Sequence, residues 1–129
     1  MKKLLILLFS ILISFNSYGE WTAVSESVDG DIAYIDYNNI KKNNGYVYYW
    51  ELYDMIKPMP IGAGIFSAKT YNEVFCDTPM KFRVISSRYY SLPMGEGPSD
   101  IDNTTYDWTY PDPGSTLENT LNIVCEYTN

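Results

Sequence analysis

The side chains that could do chemistry in this chain are carboxylates, tyrosines and two cysteines, because the sequence contains no histidine. Histidine is the commonest general base and the commonest metal ligand, so its absence weighs against acid–base catalysis and against a metal site. No serine stands in a recognisable nucleophile motif. We therefore predict a protein without catalytic residues, metal ligands or cofactors. The alternative is a hydrolase that uses two carboxylates, and it requires two acidic side chains to face each other across a cleft.

The N-terminus has the pattern of a secretory signal peptide over residues 1–19. Two lysines supply positive charge, residues 4–15 are apolar except for two serines, and Ser17 and Gly19 are small residues where a signal peptidase reads. The apolar run is shorter than the roughly 20 residues that a membrane-spanning helix needs. We predict cleavage after Gly19, which leaves one domain over residues 20–129. An uncleaved membrane anchor is the alternative.

Export and a negative net charge together limit the classes of molecule that this protein is expected to bind. Removal of the leader with its two lysines changes the net charge from −7 to −9. A chain this acidic is not expected to bind nucleic acid or anionic lipid.

Two cysteines in an exported chain most often form a disulfide, so we expect a bond between Cys76 and Cys125 worth roughly 4 kcal/mol. The alternatives are two buried free thiols or a bond between molecules.

One amphipathic helix is predicted near the C-terminus, over residues 113–127. Ser115 can cap it, and Glu118 three residues later completes a capping box. The apolar residues of this segment fall on one helical face: Leu117, Leu121, Val124 and Cys125. Cys125 therefore lies on the side of the helix that packs against the rest of the domain.

Strand-like runs precede the helix. They are residues 21–27, 32–36, 46–56, 65–76, 80–90 and 106–110, joined by turns that include residues 41–45. Residues 93–105 read as a polar loop. The expected fold is therefore α+β: an antiparallel β-sheet of about five to six strands with one C-terminal α-helix packed on it and tied by a disulfide.

The longest run, residues 46–56, is apolar on both faces. We predict that its even-numbered positions, which include Trp50 and Leu52, face the core. Tyrosines are frequent in this run and in residues 80–90, and the two segments are expected to lie close together. Tyrosine is a good strand residue, so packing explains these side chains, but it is also favoured in protein interfaces. On the second interpretation the partner-binding residues are Tyr48, Tyr49, Tyr53, Tyr89 and Tyr90.

Taken in order, these features resemble the surface-adhesin protein E family of Gram-negative bacteria. The resemblance covers essentially all of the chain after the leader. It rests on Trp21, Tyr34-Ile35-Asp36, Ile40, Gly45, Trp50, Asp54, Cys76, Lys81, Arg83, Tyr89-Tyr90, Gly95, Trp108, Pro111, Pro113 and Cys125. The family implies an antiparallel sheet with a C-terminal helix fixed by a disulfide, which agrees with the prediction made from the residues alone.

The resemblance also implies a non-enzymatic, exported protein that binds other proteins. The founding type binds host extracellular-matrix and serum proteins such as vitronectin and laminin at the cell surface. This chain has no cysteine for a lipid anchor near the cleavage site, and few lysines in its loops. An alternative function is therefore a periplasmic accessory or inhibitor domain that recognises a bacterial envelope protein. The location is expected to be the periplasm, the cell surface or the medium, with a homodimer as an alternative assembly.

Overall fold

The computed structural model of the chain describes residues 20–60 and 64–128, and one antiparallel sheet runs through most of them. The predicted signal peptide lies outside the described residues, so its cleavage site stays a prediction. The strands are β1 (Trp21–Glu26), β2 (Ile32–Asp36), β3 (Lys41–Asn43), β4 (Tyr46–Asp54), β5 (Ser67–Phe75), β6 (Lys81–Leu92) and β7 (Glu96–Asp102). They lie in the order β1-β2-β4-β5-β6-β7, and β3 pairs with β4.

Two short strands share one edge of the central strand β4. β2 pairs with its C-terminal half and β3 with its N-terminal half. A single 3-10 turn over Tyr37–Asn39, capped by the Asp36 side chain, links the two short strands. The predicted turn at residues 41–45 is confirmed at Asn44 and Gly45, which adopt positive φ. Lys41–Asn43 form a strand instead, because they pair with β4.

One helix, α1 (Thr116–Tyr127), lies across the sheet as predicted. The Ser115 hydroxyl accepts a hydrogen bond from the Glu118 backbone N–H at 3.1 Å, and Glu118 Oε1 accepts one from the Gly114 N–H at 3.1 Å. The predicted disulfide is confirmed: the sulfurs of Cys76 and Cys125 are 2.05 Å apart and join residues that are 49 positions apart. The helix is thus both capped at its start and covalently tied near its end. It is not long and apolar enough to cross a membrane, and neither is any other described helix.

The helix packs on the odd-numbered side of β4, so the predicted core face was wrong. The core between helix and sheet is formed by the sheet residues Ile35, Val47, Tyr49 and Val74 and by the helix residues Leu121, Val124 and Cys125. Cross-strand pairing sets Val47 opposite Val74, and these small branched side chains let the helix come close to the sheet. The bulky even-numbered side chains lie on the other side, where only Leu52 among them is fully buried. We call the helix side the covered face and the other side the open face.

Two other predictions fail between β6 and the helix. Residues 93–105 are not a loop throughout, because β7 pairs with β6 from Ser87 to Leu92. Residues 106–110 are not a strand, although backbone hydrogen bonds of 2.8–2.9 Å join Tyr106 and Thr109 to β6. Ladder hydrogen bonds need no apolar pattern at an exposed edge, so neither result was visible in the side-chain types.

Candidate binding surface

A row of aromatic side chains crosses the open face. Alternation along β4 brings Tyr46, Tyr48 and Trp50 to this side, and β5 adds Tyr71 and Phe75 directly opposite or diagonally across from them. The ring centroids of Trp50 and Tyr71 are 4.9 Å apart, those of Tyr48 and Tyr71 are 6.2 Å apart, and those of Tyr46 and Phe75 are 5.6 Å apart. These distances are typical of favourable aromatic pairs. We call these five residues the aromatic row.

Positive charge gathers at one end of the aromatic row. Trp108, from the segment after β7, places its ring 5.9 Å from that of Tyr46. The Lys81 ammonium lies 4.7 Å from the centre of the Trp108 ring, and the Arg83 guanidinium lies 4.6 Å from it. Lys81 and Arg83 both lie on β6, and cation–π contacts with the Trp108 ring hold their side chains in place. Arg83 is also paired with Glu73, so among the described residues Lys81 carries the positive charge that no ion pair offsets at this end.

An ion pair fixes the middle of the row. The Arg83 Nε–H donates to Glu73 Oε1 at 2.6 Å, and the Tyr48 hydroxyl donates to the other oxygen of the same carboxylate. Glu73 is only 7% exposed, so its charge depends on these two donors. The hydrogen bond to Glu73, followed by burial, raises the pKa of Tyr48 to about 12. Tyr48 therefore stays a hydrogen-bond donor at neutral pH and holds a fixed orientation.

The aromatic row is accessible from solvent. Trp50 is 36% exposed, and Tyr46, Tyr48, Tyr71 and Phe75 are partly exposed. Large side chains that are already held in place lose little conformational entropy when a partner covers them. Rigid, half-exposed aromatic residues beside a charged group are characteristic of protein-binding surfaces.

The five tyrosines predicted to bind a partner do not form one surface. Tyr48 belongs to the aromatic row. Tyr49 is fully buried under the helix, and Tyr90 is only 8% exposed on the open face. Tyr53 and Tyr89 lie on the covered face, where both line a groove beside the helix. Because neighbouring positions of a strand point to opposite sides, Tyr48 and Tyr49 could not have shared a surface.

Sequence reasoning missed Trp50, Tyr71 and Trp108 as surface residues. For Trp50 a signal existed, since the two-residue period of a strand places it on the same side as Tyr48. Tyr71 and Trp108 join the row only through the pairing of β4 with β5 and through the course of the chain after β7. Those long-range relations were not readable from local spacing.

The groove on the covered face has a volume of about 300 Å³. Its walls are mainly apolar or aromatic and include Tyr53, Met55, Val84, Tyr89 and Leu117. Glu51 lies at its floor, where its side chain is partly exposed while protein atoms surround most of the carboxyl group. This desolvation raises the pKa of Glu51 to about 7, although the hydrogen bond from the Tyr49 hydroxyl, at 3.2 Å, acts in the opposite direction.

Glu51 also borders a second, smaller cavity together with Asp31. Two carboxyl groups at one cavity are what the hydrolase alternative requires. The cavity measures about 90 Å³, however, whereas small-molecule sites measure about 300 Å³ or more. This space has room for a few water molecules but not for a substrate. Among residues 20–60 and 64–128, no three acidic or cysteine side chains are grouped so that they could hold a metal ion.

Solved structures of Haemophilus influenzae protein E resemble this fold. Crystal form II matches with a TM-score of 0.66 at 18% identity, over 84% of this chain and 90% of that one. A second structure gives a TM-score of 0.62 at 18% identity, over 82% of this chain and 83% of that one. The protein from a non-typeable strain gives 0.60 at 18% identity, over 82% and 75%. At this identity the likeness concerns the fold.

Family membership comes from the sequence itself. No curated protein sequence matches the chain. The sequence model of a surface adhesin, protein E, matches residues 21–126, which includes every described strand and nearly all of the helix. The match spans both cysteines of the disulfide and the whole aromatic row. The chain therefore belongs to the surface-adhesin protein E family.

Proposed function

We propose that this protein is a non-catalytic adhesin domain that binds a partner protein through the aromatic row. The single observation that carries the proposal is a rigid, solvent-accessible set of aromatic side chains on the open face, flanked by two cations. Membership of a surface-adhesin family supports the same function. The partner class favoured by the family is a host matrix or serum protein.

The chemistry of the open face defines what such a partner must present. Trp50 and Tyr71 offer apolar area, so the partner is expected to bring apolar or aromatic side chains to them. Lys81 on Trp108 offers positive charge that no ion pair among the described residues offsets, so an acidic group of the partner is expected beside it. Removal of an aromatic anchor should weaken binding more than removal of a charge at the rim.

A binding assay with the mature protein tests this proposal. Laminin and vitronectin are immobilised, and the affinities of the wild type, Trp50→Ala and Tyr71→Ala are measured by surface plasmon resonance. We expect each substitution to weaken binding by about tenfold or more. Tyr127→Ala is the matched control, because Tyr127 is 54% exposed at the end of the helix, away from the open face. Equal binding by all four proteins would contradict the proposed surface.

Location in the native cell separates the adhesin from the periplasmic alternative. We expect surface labelling of intact cells to modify this protein. Recovery only from the periplasmic fraction, with capture of a bacterial envelope protein, would favour the accessory or inhibitor function instead. In that case the Trp50→Ala and Tyr71→Ala variants still test whether the aromatic row makes the contact.

A further inference from the structure

The groove on the covered face is separate from the aromatic row and has a different chemistry. Strands β4, β5 and β6 form its base where the helix no longer covers them, and Leu117 of α1 closes one side. Its volume of about 300 Å³ reaches the range of sites that take small molecules. None of the described residues that line it is basic. The groove is therefore apolar, with a polar floor.

The polar floor consists of the Glu51 carboxyl group and a buried amide, that of Asn72. Asn72 is only 2% exposed, and its Oδ1 atom has no hydrogen-bond partner among the described residues. Its Nδ2 donates to Thr70 Oγ1 at 3.0 Å, which is a contact within β5. Glu51 pairs across the strands with Thr70. The Asn72 Oδ1 atom is fully enclosed, so the acceptor that a ligand in the groove can reach is the partly exposed Glu51 carboxyl group.

The residues around the floor favour a cationic ligand as the hydrogen-bond donor. Glu51 supplies a carboxyl group and no basic side chain lies in the groove to neutralise it, so an anionic ligand would be repelled. Tyr53 and Tyr89 place aromatic rings in the walls, where an apolar body or an ammonium group is well accommodated. Met55 and Val84 add apolar contact.

We infer that this groove binds a small primary amine with an apolar or aromatic body, whose ammonium group donates hydrogen bonds to the Glu51 carboxylate. The apolar part of the ligand lies between Tyr53 and Tyr89. Binding requires the ionised form of Glu51, so a Glu51 that is protonated beforehand releases its proton to solvent. Neither the family match nor the aromatic row is needed for this site.

Binding of phenethylamine to the mature protein tests the inference. Chemical shifts of Tyr53, Tyr89 and Asn72 are followed by NMR at about pH 8, where the ligand is still an ammonium ion because alkylamines have pKa values near 10. Phenethyl alcohol and phenylacetate carry the same ring with a neutral and an anionic head. We expect the alcohol to bind at least about tenfold more weakly than the amine, and phenylacetate not to bind. Equal affinities of the amine and the alcohol would overturn the inference.

Two substitutions locate the site. Glu51→Gln keeps the shape of the side chain and should weaken phenethylamine binding about tenfold or more. Glu96→Gln removes one negative charge from the exposed start of β7 and should leave the affinity unchanged, which controls for general attraction to an acidic protein. Ala68→Leu fills the floor of the groove and should abolish binding of all three compounds. Unchanged affinity in either Glu51→Gln or Ala68→Leu would refute the site, and if Ala68→Leu does not fold, Glu51→Gln alone decides.

The pH dependence supplies a readout that a merely apolar groove would not give. Four titratable groups face Glu51: Tyr49 and Tyr53 on β4, Tyr89 on β6, and Asp31 before β2. Because the pKa of Glu51 is about 7, its ionised fraction rises between about pH 6 and about pH 8. The affinity for phenethylamine should rise several-fold over this interval in the wild type and stay constant in Glu51→Gln. A flat profile in the wild type would contradict the role of Glu51.

Discussion

The two faces of the sheet use apolar side chains in different ways. On the covered face, small branched residues such as Val47 and Val74 are fully buried under a helix that a disulfide holds in place. On the open face, larger residues such as Trp50 and Tyr71 remain partly exposed and pack against one another. The face with the greater aromatic area is thus the less buried one.

This difference shows that burial depends on the covering element as well as on the strand. The helix needs a surface that it can approach closely, and branched aliphatic side chains provide one. Aromatic rings at 4.9–6.2 Å stabilise one another without a covering layer, and an ion pair at Glu73 holds them in position. Substitutions beneath the helix should therefore change stability, whereas substitutions in the aromatic row should change binding.

Loss of the disulfide should give the largest effect on stability. In the double variant Cys76→Ser and Cys125→Ser the unfolded chain is no longer closed into a loop, and the free energy of unfolding should fall by about 4 kcal/mol. Urea denaturation of the oxidised wild type and of the double variant measures this difference. The reduced wild type is the control and should match the double variant. A loss below about 1 kcal/mol would mean that packing alone holds the helix on the covered face.

A matched pair of leucines tests the contrast between buried and exposed positions. Leu121 is fully buried on α1, so Leu121→Ala should lower the free energy of unfolding by between about 3 and 4 kcal/mol. Leu92 ends β6 and is 49% exposed, so the same change there should cost less than about 1 kcal/mol. Both values come from urea denaturation of the mature protein. Similar losses in the two variants would contradict the assignment of the core to the covered face.

Local patterns were sufficient to predict the parts of this fold that depend on neighbouring residues. The helix, its Ser115 cap and the burial of Cys125 follow from spacings of three and four residues. The bond between Cys76 and Cys125 followed from there being two cysteines in a chain predicted to be exported. The Asn44-Gly45 turn was also readable, because these residue types favour positive φ.

Relations between distant strands were not predictable in the same way. Both sides of β4 are apolar, so its composition did not determine which side the helix covers. β7 forms through backbone pairing of exposed, polar residues with β6, which leaves no apolar alternation in the sequence. The aromatic row depends on the register that places Trp50 opposite Tyr71. A register of this kind is a property of two segments together, and it was not visible in either one.

The third stability effect depends on pH and concerns Glu51, at the margin of the covered face. Burial raises its pKa from 4.5 to about 7 in the folded protein, so the folded state binds more protons than the unfolded state between these values. The stabilisation from the protonated carboxyl is fully present below the unfolded pKa and is lost as the pH rises through the folded pKa. In Glu51→Gln this loss is absent.

The free energy of unfolding of Glu51→Gln relative to the wild type should therefore increase by about 1.4 kcal/mol per pH unit between about 4.5 and about 7, and then remain constant. Urea denaturation of both proteins across this range measures the difference, and Glu96→Gln on the exposed strand β7 serves as the matched control. A Glu51→Gln difference that does not change with pH would mean that the carboxyl is well hydrated in the folded protein. The floor of the groove beside the helix would then be open to water. The covered face would be buried only beneath the helix, and beyond the helix it would be hydrated like the open face.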